Sequence, residues 1–463
     1  MKIRQNMILG LAMASVLAVP PVAVAQGTPE ASPAVSPAVE ARGEMRVVGM
    51  DTFANDLTVD GTLVGGLSGI DYDPESGAWI VISDDRSDNA PARFYNLDLA
   101  DSSTGLESME LTAQTTLLQG NGQPYPNAEA GGNVPDLESI RFDPATDALW
   151  YTSEGSWKLG IDPFVAATSA DGQLIATTAL PPMFAMRAGQ EEGPRDNLVF
   201  EGLSFAPDGQ SLWLGMEGAR YEDGAIPTFT ETSLTRLTNV DRGGNVLGQF
   251  AYEIDTLPEE PAGFGTAGVT EVLAIGNGQL LATERATVED AAGIYKNIIK
   301  VYEVDVAGAT DVSEIDALAG AEITPVIKRL VVDLNAAGVD PVGNIEGISW
   351  GPELENGNRS LVLVSDNNFN DTQVSQLIVV EVGSQGIAQP GIRARREQGI
   401  AKREPSGTTG GFRFGNGYRR RCPVDRVSRY RSRMSAARPP PTSTTNPTGS
   451  AIPMNDAMSN PSE

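Results

Sequence analysis

No histidine occurs in the 463 residues, and there is one cysteine, Cys422. The missing imidazole removes Ser-His-Asp triads, phosphohistidine chemistry, His-ligated zinc and histidine acid–base catalysis together. A single thiol excludes an intramolecular disulfide, so stability has to come from a packed core. Aromatic residues are scarce, at 6%. After residue 25 no stretch approaches the ~20 apolar residues that a membrane-spanning helix needs, which argues against a stable span once a leader is removed. Positive charge is short as well: 33 Lys plus Arg stand against 61 Asp plus Glu, a formal net charge of −28. A chain this acidic repels polyanions and argues against nucleic acid as a partner. The chemistry left to it runs on carboxylates, hydroxyls, Lys or Arg, or on a hard metal ion held through oxygen.

What the chain does have is a repeat. FEGLSFAPDGQSLWLGMEGA from Phe200 to Ala219 comes back as GLSGIDYDPESGAWIVISDDR from Gly66, LESIRFDPATDALWYTSEG from Leu137, VTEVLAIGNGQLLATERA from Val269 and IEGISWGPELENGNRSLVLVSDNN from Ile345. Each copy is an alternating run, a turn of Asp-Pro, Asp-Gly or Asn-Gly type, and a second apolar run ending in an acidic residue. That is strand, tight turn, strand. Two further extended runs follow, at 93–99 and 111–118 in the first unit and at 298–306 and 326–333 in the fourth, giving about four strands per unit. The period of 63 to 75 residues predicts an all-β fold, a β-propeller with long loops between strands. Five blades are countable, and a sixth is admissible within 287–344. The extra strand at 45–53 and a fifth unit one strand short predict a circle closed by the N-terminal strand.

The flanks read differently. Met1 to Ala25 carries Lys2 and Arg4, an apolar stretch from Met7 to Val19, and small residues at Ala23 and Ala25. These predict a cleavable secretory signal peptide and a periplasmic or secreted protein. Residues 26–44 are rich in Pro, Ala, Ser and Glu and read as a disordered linker ahead of the propeller domain at 45–383. Residues 384–463 hold 14 Arg plus Lys against 5 Asp plus Glu. No periodicity survives in this Arg/Pro/Ser-rich tail, which reads as disordered. An anion-binding arm, a solvated linker or residues read in an altered frame would each produce it, and no function is assigned to it. Without it the chain carries 19 basic against 56 acidic side chains. Nothing in the sequence speaks to oligomeric state.

Within the repeat, Glu138, Glu201, Glu271 and Glu346 each open the face that the following alternate residues bury, with Ser68 in that place in the first unit. The second strands end at Asp84-Asp85, Glu154, Glu217, Glu284 and Asp366. In a propeller the first strand of each blade lines the central channel, so about ten carboxylates are expected near one end of one axis. Like charges crowded this way call for a cation, and Ca²⁺ takes roughly 6 to 8 oxygen ligands at low geometric stringency. Asp84, Asp85, Glu154, Glu217, Glu284 and Asp366 are therefore candidate metal ligands. Arg86, Lys158, Arg220 and Arg285 follow the acids closely and are candidate contacts for a small anionic substrate. A structural reading stands beside this one, in which each glutamate accepts hydrogen bonds from the neighbouring blade or pairs with its own arginine. Trp79, Trp150 and Trp213 read as blade core, and Asp71 and Asp73 as turn chemistry.

The quoted units, from Gly65 to Val382, resemble the exported bacterial phytase-like family, described as esterase-like activity of phytase. The resemblance implies a β-propeller and, by analogy with calcium-dependent propeller phytases, phosphomonoester hydrolysis by a metal-activated water. It would make Glu138, Glu201, Glu271 and Glu346 catalytic or metal-binding and Arg86, Arg220 and Arg285 phosphate contacts. Two alternatives remain open: a metal-dependent esterase or lactonase, and a non-enzymatic extracytoplasmic binding or scaffold propeller.

Overall fold

The structure, a computed structural model, describes residues 45–383. The signal peptide, the linker and the basic tail expected from the sequence lie outside the described residues. Five four-stranded antiparallel sheets follow one another along the chain. Blade 1 is β4 (Leu67–Asp73), β5 (Ala78–Ser83), β6 (Arg93–Ser102) and β7 (Gly105–Thr116); blade 2 is β8 (Leu137–Phe142), β9 (Leu149–Ser153), β10 (Phe164–Thr168) and β11 (Leu174–Thr178). Blade 3 is β12 (Phe200–Phe205), β13 (Ser211–Met216), β14 (Ser233–Asp241) and β15 (Val246–Ile254). Blade 4 is β16 (Gly265–Gly276), β17 (Gln279–Glu289), β18 (Tyr295–Asp305) and β19 (Ile327–Asp333). Blade 5 takes β20 (Asn344–Glu353), β21 (Arg359–Asp366) and β22 (Ser375–Val382) from the end of the chain and its outer strand, β1 (Met45–Phe53), from the beginning. Among the described residues a small hairpin, β2 (Thr58–Val59) with β3 (Thr62–Leu63), and two single-turn 3-10 helices, Pro182–Phe184 and Tyr221–Asp223, stand outside the blades.

The innermost strands touch in sequence, β4 to β8 to β12 to β16 to β20, and β20 returns to β4, so the circle is closed. Closure rests on β1 pairing antiparallel with β22 from Met45↔Val382 to Phe53↔Ser375. It covers the edge of β22, which is buried along its whole length, and leaves β1 as the outer strand of blade 5. The structure thus has five blades, and among the described residues there is no sixth. The long segment between β18 and β19 instead covers the outer edge of blade 3: Val312 and Leu318 pack on Ala251, and the Val312 and Val326 amides donate to Gln249 and Ala251 carbonyls.

The core lies between blades, which explains why so many strands are apolar on both faces. In β5, Trp79 and Val81 join the cluster shared with blade 5, while Ile80 and Ile82 join the one shared with blade 2. Alternate residues of one strand therefore feed two different cores. Trp150 and Trp213 face the other way, each toward the following blade, in the cores between blades 2 and 3 and between blades 3 and 4. Asp73 accepts the amides of Glu75 and Ser76, as its place in a turn predicts.

The channel is plugged. Arg141 is 2% exposed and donates to backbone carbonyls of all five blades: Ile70 (2.5 Å), Ile140 (3.2 Å), Leu203 (2.6 Å), Val272 (3.4 Å) and Ile348 (3.1 Å). These carbonyls occupy one equivalent position per blade. A planar guanidinium with five donors suits a circle of inward acceptors as no lysine would. Just above it the walls close in, since a Cβ on Gly202 would stand 2.7 Å from the Val272 nitrogen and one on Gly69 2.5 Å from the Glu138 carbonyl oxygen. What lies above this plug is a cup rather than a pore.

Candidate metal centre

Each innermost strand carries a β-bulge at its first residues, between Leu67 and Gly69, Leu137 and Ile140, Phe200 and Gly202, Val269 and Glu271, and Ile345 and Gly347. A bulge frees one residue from the ladder and re-aims its side chain. The residues set at that level are Ser68, Glu138, Glu201, Thr270 and Glu346. On the neighbouring strands Ser83, Ser153, Met216, Glu284 and Ser365 stand opposite the residue before each of these, so the residues that follow them, Asp84, Glu154, Glu217, Arg285 and Asp366, are the ones set one level out. The expected fivefold repeat is thus broken in blade 4, twice. Thr270 stands where Glu271 was expected, and Arg285 stands where Glu284 was expected.

The two displaced glutamates are satisfied elsewhere. Glu271 sits one step deeper, 2.7 Å from the Arg141 guanidinium, and accepts Ser139 Oγ (2.8 Å) and the amides of Leu203 and Val272 (both 2.9 Å). Burial raises its pKa to about 7 against the pull of Arg141. Glu284 faces away from the cup, accepting Tyr252 Oη (2.6 Å) and pairing with Lys328. Asp85 also stands apart: it accepts the amides of Asp88, Asn89 and Ala90 and pairs with buried Arg93 at 2.7 Å. Ser68 and Thr270, the uncharged members of the inner level, donate to the next blade's carbonyl at Leu137 and Ile345, both at 3.0 Å. For these two positions the interblade structural role is the one observed.

The remaining carboxylates meet. Three groups have ligand oxygens within 4.8 Å of one another: Asp84 with Glu346 and Asp366, Asp136 with Glu138 and Glu154, and Glu154 with Glu201 and Glu217. Asp136 was not anticipated from the sequence. Its signal is its place directly before Leu137, where its backbone carbonyl accepts the Glu154 amide at 2.9 Å. Among the cations expected at the cup, Arg285 is inside it, donating to Glu217 at 2.8 Å and to Glu346 at 2.5 Å. Arg86 closes one side, holding Asp136 at 2.6 Å and Asn197 at 2.5 Å. Arg220 is bound instead to Glu222 and to the Asp316 carbonyl, and Lys158 is an exposed partner of Asp196 at 3.1 Å. Neither reaches the cup.

Eight carboxylates facing two guanidiniums leave the cup strongly negative, and the acids respond. Burial, reinforced by like-charged neighbours, pushes Asp84, Glu138, Glu154 and Glu201 well above the usual carboxylate range. Burial with Glu346 nearby brings Asp366 to about 8, and burial outweighs Arg86 to hold Asp136 at about 7. Glu217 and Glu346 are raised by burial in spite of Arg285. Four buried oxygens, Oε2 of Glu154, Glu201, Glu217 and Glu346, have no hydrogen-bond partner. Unpaired buried acceptors of this kind are rare without an unseen water or ion. The donor set contains oxygen only, at separations that one ion bound at about 2.4 Å can span, and so fits a hard divalent cation.

An all-β propeller of five blades, plugged on its axis below a buried carboxylate cup, is the class that fold and site define. Residues 62–369 match the phytase-like family, described as esterase-like activity of phytase, and the chain belongs to that family. No curated protein matches the chain. Among solved structures it is similar to a mannose phosphorylase from Leishmania mexicana (12% identity, 72% of this chain and 88% of that one, TM-score 0.34). It is also similar to a Coprinopsis cinerea α-L-arabinofuranosidase catalytic domain (9%, 74% and 97%, TM-score 0.36) and to a Xanthomonas campestris gluconolactonase (11%, 75% and 99%, TM-score 0.29). Likenesses of this size carry no functional argument. No helix among the described residues is long and apolar enough to cross a membrane.

Proposed function

We propose that the protein is an exported, calcium-dependent hydrolase of phosphate esters that works at the carboxylate cup. The observation carrying this reading is the set of four buried, unpaired glutamate oxygens among eight converging carboxylates. Asp136, Glu154, Glu201 and Glu217 would hold an ion on one side of Arg285, and Asp84, Glu346 and Asp366 on the other. A bound divalent cation supplies neutralising charge for phosphoryl oxygens and a water acidic enough to attack near neutral pH. The chain's own residues do the rest. Arg285, fixed between Glu217 and Glu346, presents a guanidinium to an anion entering between the two groups. Glu138, which has no arginine of its own, is the acid suited to giving a proton to the leaving oxygen. With Arg141 filling the axis on one side, water and substrate would reach the carboxylates from the other. Export through residues 1–25 would deliver the protein where calcium is abundant enough for a weak, all-oxygen site.

Calorimetry with Ca²⁺, followed by rates on phytate, 4-nitrophenyl phosphate and 4-nitrophenyl acetate with and without chelator, tests the proposal. Phosphate-ester turnover should need the ion. Glu201→Gln should lower kcat on the order of 100-fold or more while the protein still melts cooperatively; an unchanged rate would sink the assignment. One observation favours a carboxylic ester or lactone as a second reading: Arg86 and Arg285 are both already paired with carboxylates, and a neutral ester needs no free cation. Turnover of the acetate alone would select it. A protein that binds no divalent cation would be the scaffold propeller.

A further inference from the structure

The chain leaving β21 folds back over the edge of the cup. Asn368 and Phe369 both adopt left-handed backbone angles, φ 50° and 49°. For a bulky residue such as phenylalanine this conformation is rare and persists only where its surroundings impose it. Here they do. The Asp366 carboxylate accepts the Asn368 amide at 2.6 Å, and Asn367 Oδ1 accepts the amides of Phe369 (3.1 Å) and Gly66 (3.2 Å). The turn lays the Phe369 ring on the Gly65-Gly66 backbone. A Cβ at Gly65 would stand 2.7 Å from ring atom Cδ1, and one at Gly66 would stand 2.9 Å from Cε2 and 1.9 Å from Asp84 Oδ1. Two consecutive glycines are what lets an aromatic ring and a cup carboxylate share that space.

The ring is half-buried and belongs to none of the interblade hydrophobic clusters. Asp84, beside it, is the one member of the three carboxylate groups that is not fully buried, so the ring stands where the cup opens. A strained turn thus holds an apolar, flat surface at the lip of a charged site without contributing it to the core. We propose that Phe369 is the specificity-determining contact for the uncharged part of the substrate. The ester would then carry one anionic group and a flat, apolar leaving group rather than being a highly phosphorylated polyol. This rests on the reading of the cup as a hydrolytic centre. Charge argues the same way, since both guanidiniums at the cup are already paired and a polyanion would meet carboxylates on every side.

The test compares wild type, Phe369→Ala and Phe369→Gly as calcium-loaded full-length protein, on 4-nitrophenyl phosphate, glycerol 2-phosphate and phytate. Wild type should prefer the aryl ester. Both variants should raise its KM about 5- to 10-fold, as expected for loss of one stacking contact. Its kcat should stay within about twofold, and KM for glycerol 2-phosphate should not move. The glycine variant removes ring and backbone strain together, so a defect seen only in the alanine variant would mean misplaced backbone and would overturn the proposal. Equal changes for aryl and polyol esters, or wild-type preference for phytate, would overturn it as well. If no ester is turned over, the hydrolytic reading fails separately. Calorimetric titration of phenyl phosphate against inorganic phosphate then decides: tighter binding of the aryl ligand that is lost in both variants upholds Phe369 as the contact, and equal affinities refute it.

Discussion

At the scale of single residues, Arg141 shows how far one side chain can organise a fold. Its partners are carbonyls from five blades and the Glu271 carboxylate, all buried. Arg141→Met would leave those acceptors unpaired and Glu271 without its counter-ion, at an expected cost of about 3–5 kcal/mol. Removing both charges together, in Arg141→Met with Glu271→Leu, should cost less than the single change, because the Glu271 carboxylate is then not left buried without its counter-ion and Asp71, 3.9 Å from Arg141, keeps its hydrogen bonds from Phe142 and Ser349. Chemical denaturation of the four proteins checks this, and additive losses would show that the pair is not coupled. The sequence reading did not single out Arg141, although it is a charged residue in an apolar strand, and its partners could not be read there, since they are carbonyls brought together only by closing the circle.

At the scale of strands, the unit of four and its five recurrences were readable from turns and alternation, because each blade must bury both faces against its neighbours. The exact level of each acidic residue was harder to read. Counting by twos from Leu273 and Ile275 puts Glu271 on the face of the other glutamates, but the bulge in every first strand adds a residue and shifts that count. The motif that survives the bulge is apolar, polar, variable, apolar: LSGI, LESI, FEGL, VTEV and IEGI. Aligned this way, Thr270 and Arg285 fall into place. The same logic makes β1 testable. It supplies an entire outer strand to blade 5 through its pairing with β22, and its loss would leave the apolar strand β22 as the edge and uncover part of two interblade cores. A chain shortened to begin at residue 54 should lose cooperative melting or aggregate; a truncated protein with the full-length melting temperature would contradict the closure.

At the scale of the whole molecule, the raised carboxylates of the cup tie stability to pH, and on the proposed function they would tie it to calcium as well. A carboxylate whose pKa is raised on folding holds its proton longer in the folded chain than in the unfolded one, so folding loses stability as pH climbs from about 4, the unfolded value, through the folded value. Asp136 at about 7 and Asp366 at about 8, with Glu138, Glu154 and Glu201 also pushed well above the usual carboxylate range by burial and like-charged neighbours, place that loss across the neutral range. Groups shifted the other way do not mask it: Asp143, held at about 2 chiefly by its hydrogen bonds to Arg242 against the effect of burial, stops contributing only below pH 4. In chelator the protein should therefore melt at a higher temperature at pH 5 than at pH 8. Calcium should reverse the difference, because an ion bound only by the folded form adds about 2.7 kcal/mol at a hundred times its Kd. Binding near pH 7 should also release protons, since carboxylates that ligate an ion must give theirs up; titrations in two buffers of different ionisation enthalpy measure this directly. A metal-free melting temperature that rises from pH 5 to pH 8, or calcium binding without proton release, would mean that the cup is not the charged, ion-demanding site its geometry describes.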